Sequence, residues 1–177
     1  MLLLLHLLRG RSRYMKDVSI RFAGAIMLSF LVAFILTILP LPEAWSLWRP
    51  EWLALTLVHW GLVSPKKSSL VLAWVLGLFQ DVIYDSVLGQ HAFGLLLVLF
   101  ITLRMRPRIL KDSLFQQLFL LFISLGSYLL INLWIMGITG NTPPGWSYWL
   151  TVITSILAWP LYHYYMHVYH AKKKPFE

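Results

Sequence analysis

Apolar residues fall into six runs along the chain: Phe22–Leu39, Trp52–Val63, Ser69–Tyr84, Ala92–Leu103, Leu114–Ile138 and Tyr148–Tyr169. A membrane-spanning helix needs about 20 mostly apolar residues, with roughly 17–25 tolerated. The first run is a clean span, and the fifth is long enough to tilt. The second needs its flanks to cross. The third is interrupted late by Gln80 and Asp81, and the fourth is short unless it begins near Leu88. Pro160 sits inside the sixth, where a kink that frees one backbone carbonyl is expected. The pattern predicts an all-α, polytopic domain of six transmembrane helices over residues 22–169. Residues 1–21 form a leading segment and 170–177 a basic tail.

The polar connections between the runs alternate in charge. Arg9, Arg11, Arg13, Lys16 and Arg21 precede the first run, and Lys66 and Lys67 separate the second from the third. Arg104, Arg106, Arg108 and Lys111 separate the fourth from the fifth, and Lys172, Lys173 and Lys174 follow the sixth. The three remaining connections hold only Arg49. Basic residues in short loops stay on the cytoplasmic side. Both termini are therefore expected inside, with three hairpins opening outward. Trp45, Trp48 and Trp52 mark one outer boundary, and Trp146, Tyr148 and Trp149 another. Tyr162, Tyr164, Tyr165 and Tyr169 line the inner end of the last run. Amphipathic rings favour the headgroup level, so these read as anchors. Pro42–Trp48 also fits a short helix lying on the outer surface.

Composition removes the soluble alternatives. Apolar residues make up 59% of the chain and charged residues 12%, against roughly 45–50% and about 25% in soluble domains. So much apolar surface must face lipid. The net charge of +8 does not indicate nucleic acid, because the basic residues sit in clusters between apolar runs rather than on one face. Without Cys there is no disulfide framework, thiolate metal site or cysteine nucleophile. Met1–Leu8 is too short to span and lacks the basic leader of a signal peptide. Either Met15 is the true start, or this segment is an interfacial anchor.

Within the runs, Asp81 is the sharpest residue. An ionised carboxylate at a bilayer centre costs about 2.5–3.5 kcal/mol on insertion scales. Gln80 and Asp85 extend the patch, and Asp81 and Asp85 share a face if the helix persists. Asp81 either pairs with a buried donor, belongs to an ion path, or reaches the outer interface. Arg49 is the permanent cation on that side, so an Arg49–Asp81 or Arg49–Asp85 pair is expected. Ala25, Ser29 and Ala33 recur every four positions, a spacing that lets helices approach closely. Asn132 in the fifth run could bond across helices. Catalytic patterns are missing. His163 and His167 have zinc-ligand spacing, but Tyr164 stands where a general-base Glu would be, and an interfacial cluster is expected. Gly126-Ser127 lacks the glycine two residues before the serine that a nucleophile elbow has. No P-loop or dinucleotide glycine motif occurs. No enzyme, metal or cofactor is expected.

Five features in order resemble the MreD family of the bacterial rod-shape system: Leu39-Pro40-Leu41-Pro42, Arg49-Pro50-Glu51-Trp52, Gly77-x-x-x-Asp81, Leu88-Gly89 and Trp159-Pro160. The resemblance covers about Phe22 to Val168, and is to the proteobacterial branch. It departs at Asp85, where the family tends to Gly, at Glu51, often Asn or another polar residue, and in the long N-terminal extension, which favours a start at Met15. The resemblance implies a multi-pass scaffold of the bacterial inner membrane, surrounded by membrane lipid. It would associate with MreC, and through the complex connect MreB filaments to RodA and a class B transpeptidase, so maintaining rod shape through peptidoglycan synthesis. It also implies a fold similar to the S-component of energy-coupling transporters. Arg49, Pro50, Trp52, Asp81, Leu88 and Gly89 are the residues expected to shape the outer half or the partner face. The alternative is a small-molecule or lipid-carrier transporter component, with Gln80, Asp81 and Asp85 lining its pocket.

Overall fold

The computed structural model describes residues 23–40, 42, 48–65, 68–109, 113–140 and 145–171. Among them are six α-helices and no strand: α1 (Ala23–Ile38), α2 (Trp52–Val63), α3 (Leu70–Ile83), α4 (Gln90–Met105), α5 (Leu114–Ile138) and α6 (Leu150–Ala171). Short 3-10 turns stand at Arg106–Arg108 and Trp146–Trp149. The helices match the six apolar runs; α2 and α5 have the expected bounds. Helix α5 alone among the described residues is both long and apolar enough to cross a membrane by length and composition. The leading segment, the 43–47 stretch of the expected surface helix, and Lys172–Glu177 lie outside the described residues.

Helix α2 is the centre of the bundle. Its residues Leu53 to Leu62 are all buried, and a helix apolar on every side belongs inside a protein rather than at its surface. Twelve residues rise only about 18 Å, so α2 is shorter than a bilayer core and is enclosed by its neighbours. It packs against α4, α5 and α6, while α3 and α5 flank α4. Leu95, Leu99, Leu121, Leu125, Leu129 and Trp159 complete the core. The small residues of α1 face inward: Ala25 and Ala33 are buried, and Ser29 Oγ accepts the Trp60 indole N–H at 2.8 Å. The stripe serves internal packing.

Polar groups in this apolar interior are met locally. Thr37, Thr102 and Ser124 donate to carbonyls four residues back in their own helices. Asn132 does likewise: its side-chain amide donates to the Tyr128 carbonyl at 3.0 Å rather than across helices. Helix ends leave carbonyls without intrahelical donors, and two arginines supply them. Arg49 donates to Thr37 and Leu39 at the end of α1. Arg106 Nε donates to Leu62 near the end of α2 at 2.8 Å. A cation at a helix C-terminus also meets the negative end of the macrodipole. Pro160 remains inside a continuous α6.

Candidate functional site at the Arg49 end of the bundle

Arg49, Glu51 and Asp81 lie at the end where α1 and α3 finish and α2 and α4 begin. The expected Arg49–Asp81 or Arg49–Asp85 pair is not what forms. The Arg49 guanidinium is taken up by the carbonyls of Thr37, in the last turn of α1, and Leu39, just past its end. Asp81 is fully buried and is consumed by the turn into α4. Its Oδ2 accepts the Gly89 N–H at 2.8 Å. Its Oδ1 accepts the His91 N–H at 2.7 Å, His91 Nδ1 at 2.8 Å and the Ser86 hydroxyl at 3.0 Å. The acid thus caps the first amides of α4, where a negative charge is favoured by the helix dipole. With the carboxylate accepting, His91 carries a proton on Nδ1.

The local sequence explains this clamp. A Cβ on Gly77 would stand 2.2 Å from the Ala92 Cα, so only glycine lets the start of α4 lie against α3. Asp81 follows one turn later on the same face. Gly89 has φ of 101°, a conformation that glycine adopts without steric cost. Gly77, Asp81 and Gly89 therefore form one device that closes the α3–α4 hairpin. Gly94 repeats the close approach farther along, because a Cβ there would be 2.3 Å from the Tyr128 ring.

The proposed face shared by Asp81 and Asp85 is corrected. Helix α3 ends at Ile83, and Asp85 is exposed with φ of 50°. The backbone turns there, so the two carboxyls do not form a helical i, i+4 pair. A left-handed backbone of this kind is one that glycine adopts without steric cost.

Arg49 and Asp81 are connected through two aromatic side chains that the sequence reading did not single out. The Tyr84 hydroxyl donates to the Thr37 carbonyl at 2.9 Å, the acceptor Arg49 also uses. The Tyr84 ring lies 5.5 Å from that of His91, which holds Asp81. Glu51 is half-buried just ahead of α2, and its backbone N–H donates to Ser155 Oγ at 2.9 Å. Burial pushes its carboxyl up to about 7, against the opposing pull of Arg49. Trp52 packs on Tyr162 with ring centroids 6.3 Å apart, and Pro50 is half-buried beside it. Leu88 is 70% exposed and stands outside the hydrogen-bonded cluster, on the surface.

These groups hold helix ends and turns. The Asp81 carboxylate accepts four hydrogen bonds, three on Oδ1 and one on Oδ2, all from the turn and the start of α4. Among the described residues, no group of three or more His, Cys, Asp or Glu could hold a metal ion. The described orphans are buried: Arg49 Nε, Gln80 Oε1 and Asn132 Oδ1 meet no partner among the described residues. Trp48 and Trp146 are exposed, as boundary anchors would be, and so are Tyr164 and Tyr165.

Comparison with known proteins places these features in a family. Residues 19–169 match the profile of the family described as rod shape-determining protein MreD. A curated relative, the rod shape-determining protein MreD of Haemophilus influenzae, is 41% identical over 66 residues. That match spans 37% of this chain and 41% of the relative's length. No solved structure matches the chain.

Proposed function

The chain belongs to the MreD family of rod shape-determining membrane proteins, and from that premise we propose that it is a non-enzymatic scaffold of the elongasome. A role in rod shape determination follows from the family. The finer reading is that the protein associates with MreC in the bacterial inner membrane. Through the complex it couples MreB filaments to RodA, a class B transpeptidase and peptidoglycan synthesis. The observation that carries a structural rather than catalytic role is the engagement of Asp81. Every described hydrogen bond to this buried carboxylate comes from the turn and helix start that it organises. The proposed topology has six spans with both termini cytoplasmic. It is supported by the alternation of basic clusters and by the match of helices to apolar runs. An S-component-like fold is proposed on the family resemblance.

Arg49, Pro50, Trp52, Asp81 and Gly89 then shape the end of the bundle from the inside, and exposed Leu88 is the member of the set available to a partner. Of the three residues of the transporter alternative, Asp81 accepts hydrogen bonds from the turn into α4 and Asp85 is exposed, while Gln80 is buried. Replacing Arg49 or Asp81 by Ala should weaken co-purification with MreC and round the cells. Wild-type shape together with wild-type complex levels in both variants would sink this assignment.

A further inference from the structure

Helices α1 and α3 touch toward their C-terminal ends and leave a groove between their first halves. The Phe34 and Phe79 rings meet edge to face with centroids 6.5 Å apart, and the Tyr84 hydroxyl donates to the Thr37 carbonyl at 2.9 Å. The sequence offsets are 45 and 47, and a nearly constant offset means that the helices run parallel. By the same test α2 and α6 are parallel. Thr56 Oγ1 meets the Tyr162 hydroxyl at 2.7 Å and His59 Nδ1 meets His163 Nδ1 at 3.2 Å, offsets of 106 and 104. Both α1 and α3 therefore start at one end of the bundle. On that side of the aromatic pair lies a groove of about 510 Å³. Met27, Leu31 and Phe34 form one wall, and Leu72, Leu76 and Phe79 the other.

Every side chain that lines this groove is apolar, and Met27, Leu31 and Phe79 are exposed. Its volume lies in the ordinary range of ligand sites, about 300–1,000 Å³. From Met27 to Phe34 the helix rises about 10 Å, less than one leaflet's half of a core roughly 30 Å thick. The Phe34–Phe79 contact stops the groove there. A spanning helix needs a seam through both leaflets, whereas an acyl chain needs only one. At the open end, Phe30 and Leu72 also border a small recess that reaches Ser64, Ser68 and Ser69. Lys66 and Lys67 belong to this same connection, and Arg21 stands two positions before Ala23. In the proposed topology this side carries every Lys and Arg except Arg49, against Asp17, Asp112 and Glu177 as its acids. An apolar slot one leaflet deep beside basic connections complements a lipid with apolar tails and a negative headgroup.

We propose that the α1–α3 groove seats one acyl chain of an anionic phospholipid from the cytoplasmic leaflet, its phosphate paired with the basic residues that precede α1 and α3. The walls give a seated tail dispersion contacts on several sides, and the headgroup adds an attraction that salt screens. The leaflet rests on the topology proposed above. The groove itself does not.

The test offers the full chain, in detergent, equal amounts of phosphatidylglycerol and phosphatidylcholine with the same tails, and reads bound lipid by native mass spectrometry. The expected result is one phosphatidylglycerol retained in preference to phosphatidylcholine. Lys66→Gln/Lys67→Gln should reduce that preference by about fivefold per lysine. Leu31→Trp fills the groove and should remove the adducts of both lipids. Leu157→Trp, on the exposed face of α6, should leave them unchanged. The lysines stand between α2 and α3 rather than within a helix, so their arm decides even where Leu31→Trp fails to fold. Equal retention of the two lipids by the unaltered chain would overturn the site. So would a preference that survives in the double lysine variant, or a folded Leu31→Trp chain that keeps its adduct. A lipid-free dimer in place of the adduct would assign the groove to a second copy and overturn it too. Detergent defines no sides, so these outcomes leave the topology standing. A reporter at Lys67 on the outer side would instead overturn the topology and the leaflet with it.

Discussion

Arg49 and Glu51 are two residues apart and meet the protein differently. Arg49 places its guanidinium on helix-end carbonyls, whereas the Glu51 carboxyl is partly withdrawn from water and sits at about 7. A value above the ordinary 4.5 means that the fold favours the protonated form. The stabilising contribution is present below about 4.5 and is lost as pH rises through about 7. Thermal stability of the purified protein should therefore fall between pH 5 and 8 relative to Glu51→Gln. Parallel curves for the two proteins would contradict this. Asp85 allows a second residue-level test. Its left-handed backbone costs a residue with a Cβ roughly 1–2 kcal/mol, so Asp85→Ala should be less stable than Asp85→Gly by about 1 kcal/mol. Equal melting temperatures would show that the turn carries no such strain. The identities of Arg49 and Asp81 could be read from the sequence as exceptional polar positions, but their partners could not. Those partners are mostly backbone groups, whose positions depend on where α1 stops and α4 starts. His59 sits inside an apolar run, and an ionisable residue there is itself a signal. Its partner lies 104 positions away, beyond what local spacing can reveal.

The α3–α4 hairpin shows how a weak motif acquires meaning as an element. Gly77-x-x-x-Asp81 is unspecific as text, yet in the bundle the glycine admits the next helix and the acid caps it. Gly77→Ala would press a methyl group into the Ala92 backbone and should cost about 1–3 kcal/mol, as overpacking generally does. Gly126→Ala is the control, because nothing lies within 4 Å of a Cβ there. It should be neutral or stabilising by up to about 1 kcal/mol, from helix propensity. Melting temperatures in one detergent check both, and an unaffected Gly77→Ala would remove the close-approach argument. Helix limits were well marked because polar residues bound each apolar run. They differ by one or two residues where polar groups join a helix, as Gln90 and His91 do when Asp81 caps α4.

At the scale of the molecule, the proposed topology predicts opposite sides for reporters fused at Lys67 and Pro143, the first cytoplasmic and the second outside. Reporters active on the same side would break the six-span plan. The parallel register of α2 and α6 agrees with it, since the second and sixth spans of an alternating chain run in the same direction. Which run would occupy the centre was not evident from hydropathy, because lipid and a protein core both accept Leu and Val. Burial of α2 on all sides resolves that ambiguity and carries a consequence for biogenesis. A ribosome releases Trp52–Val63 long before it has made α4, α5 and α6, so this helix first meets a solvent of lipid and water that it later leaves entirely. Its enclosure awaits the last third of the chain, and truncation within α6 should therefore strand the oldest part of the core rather than merely shorten the newest.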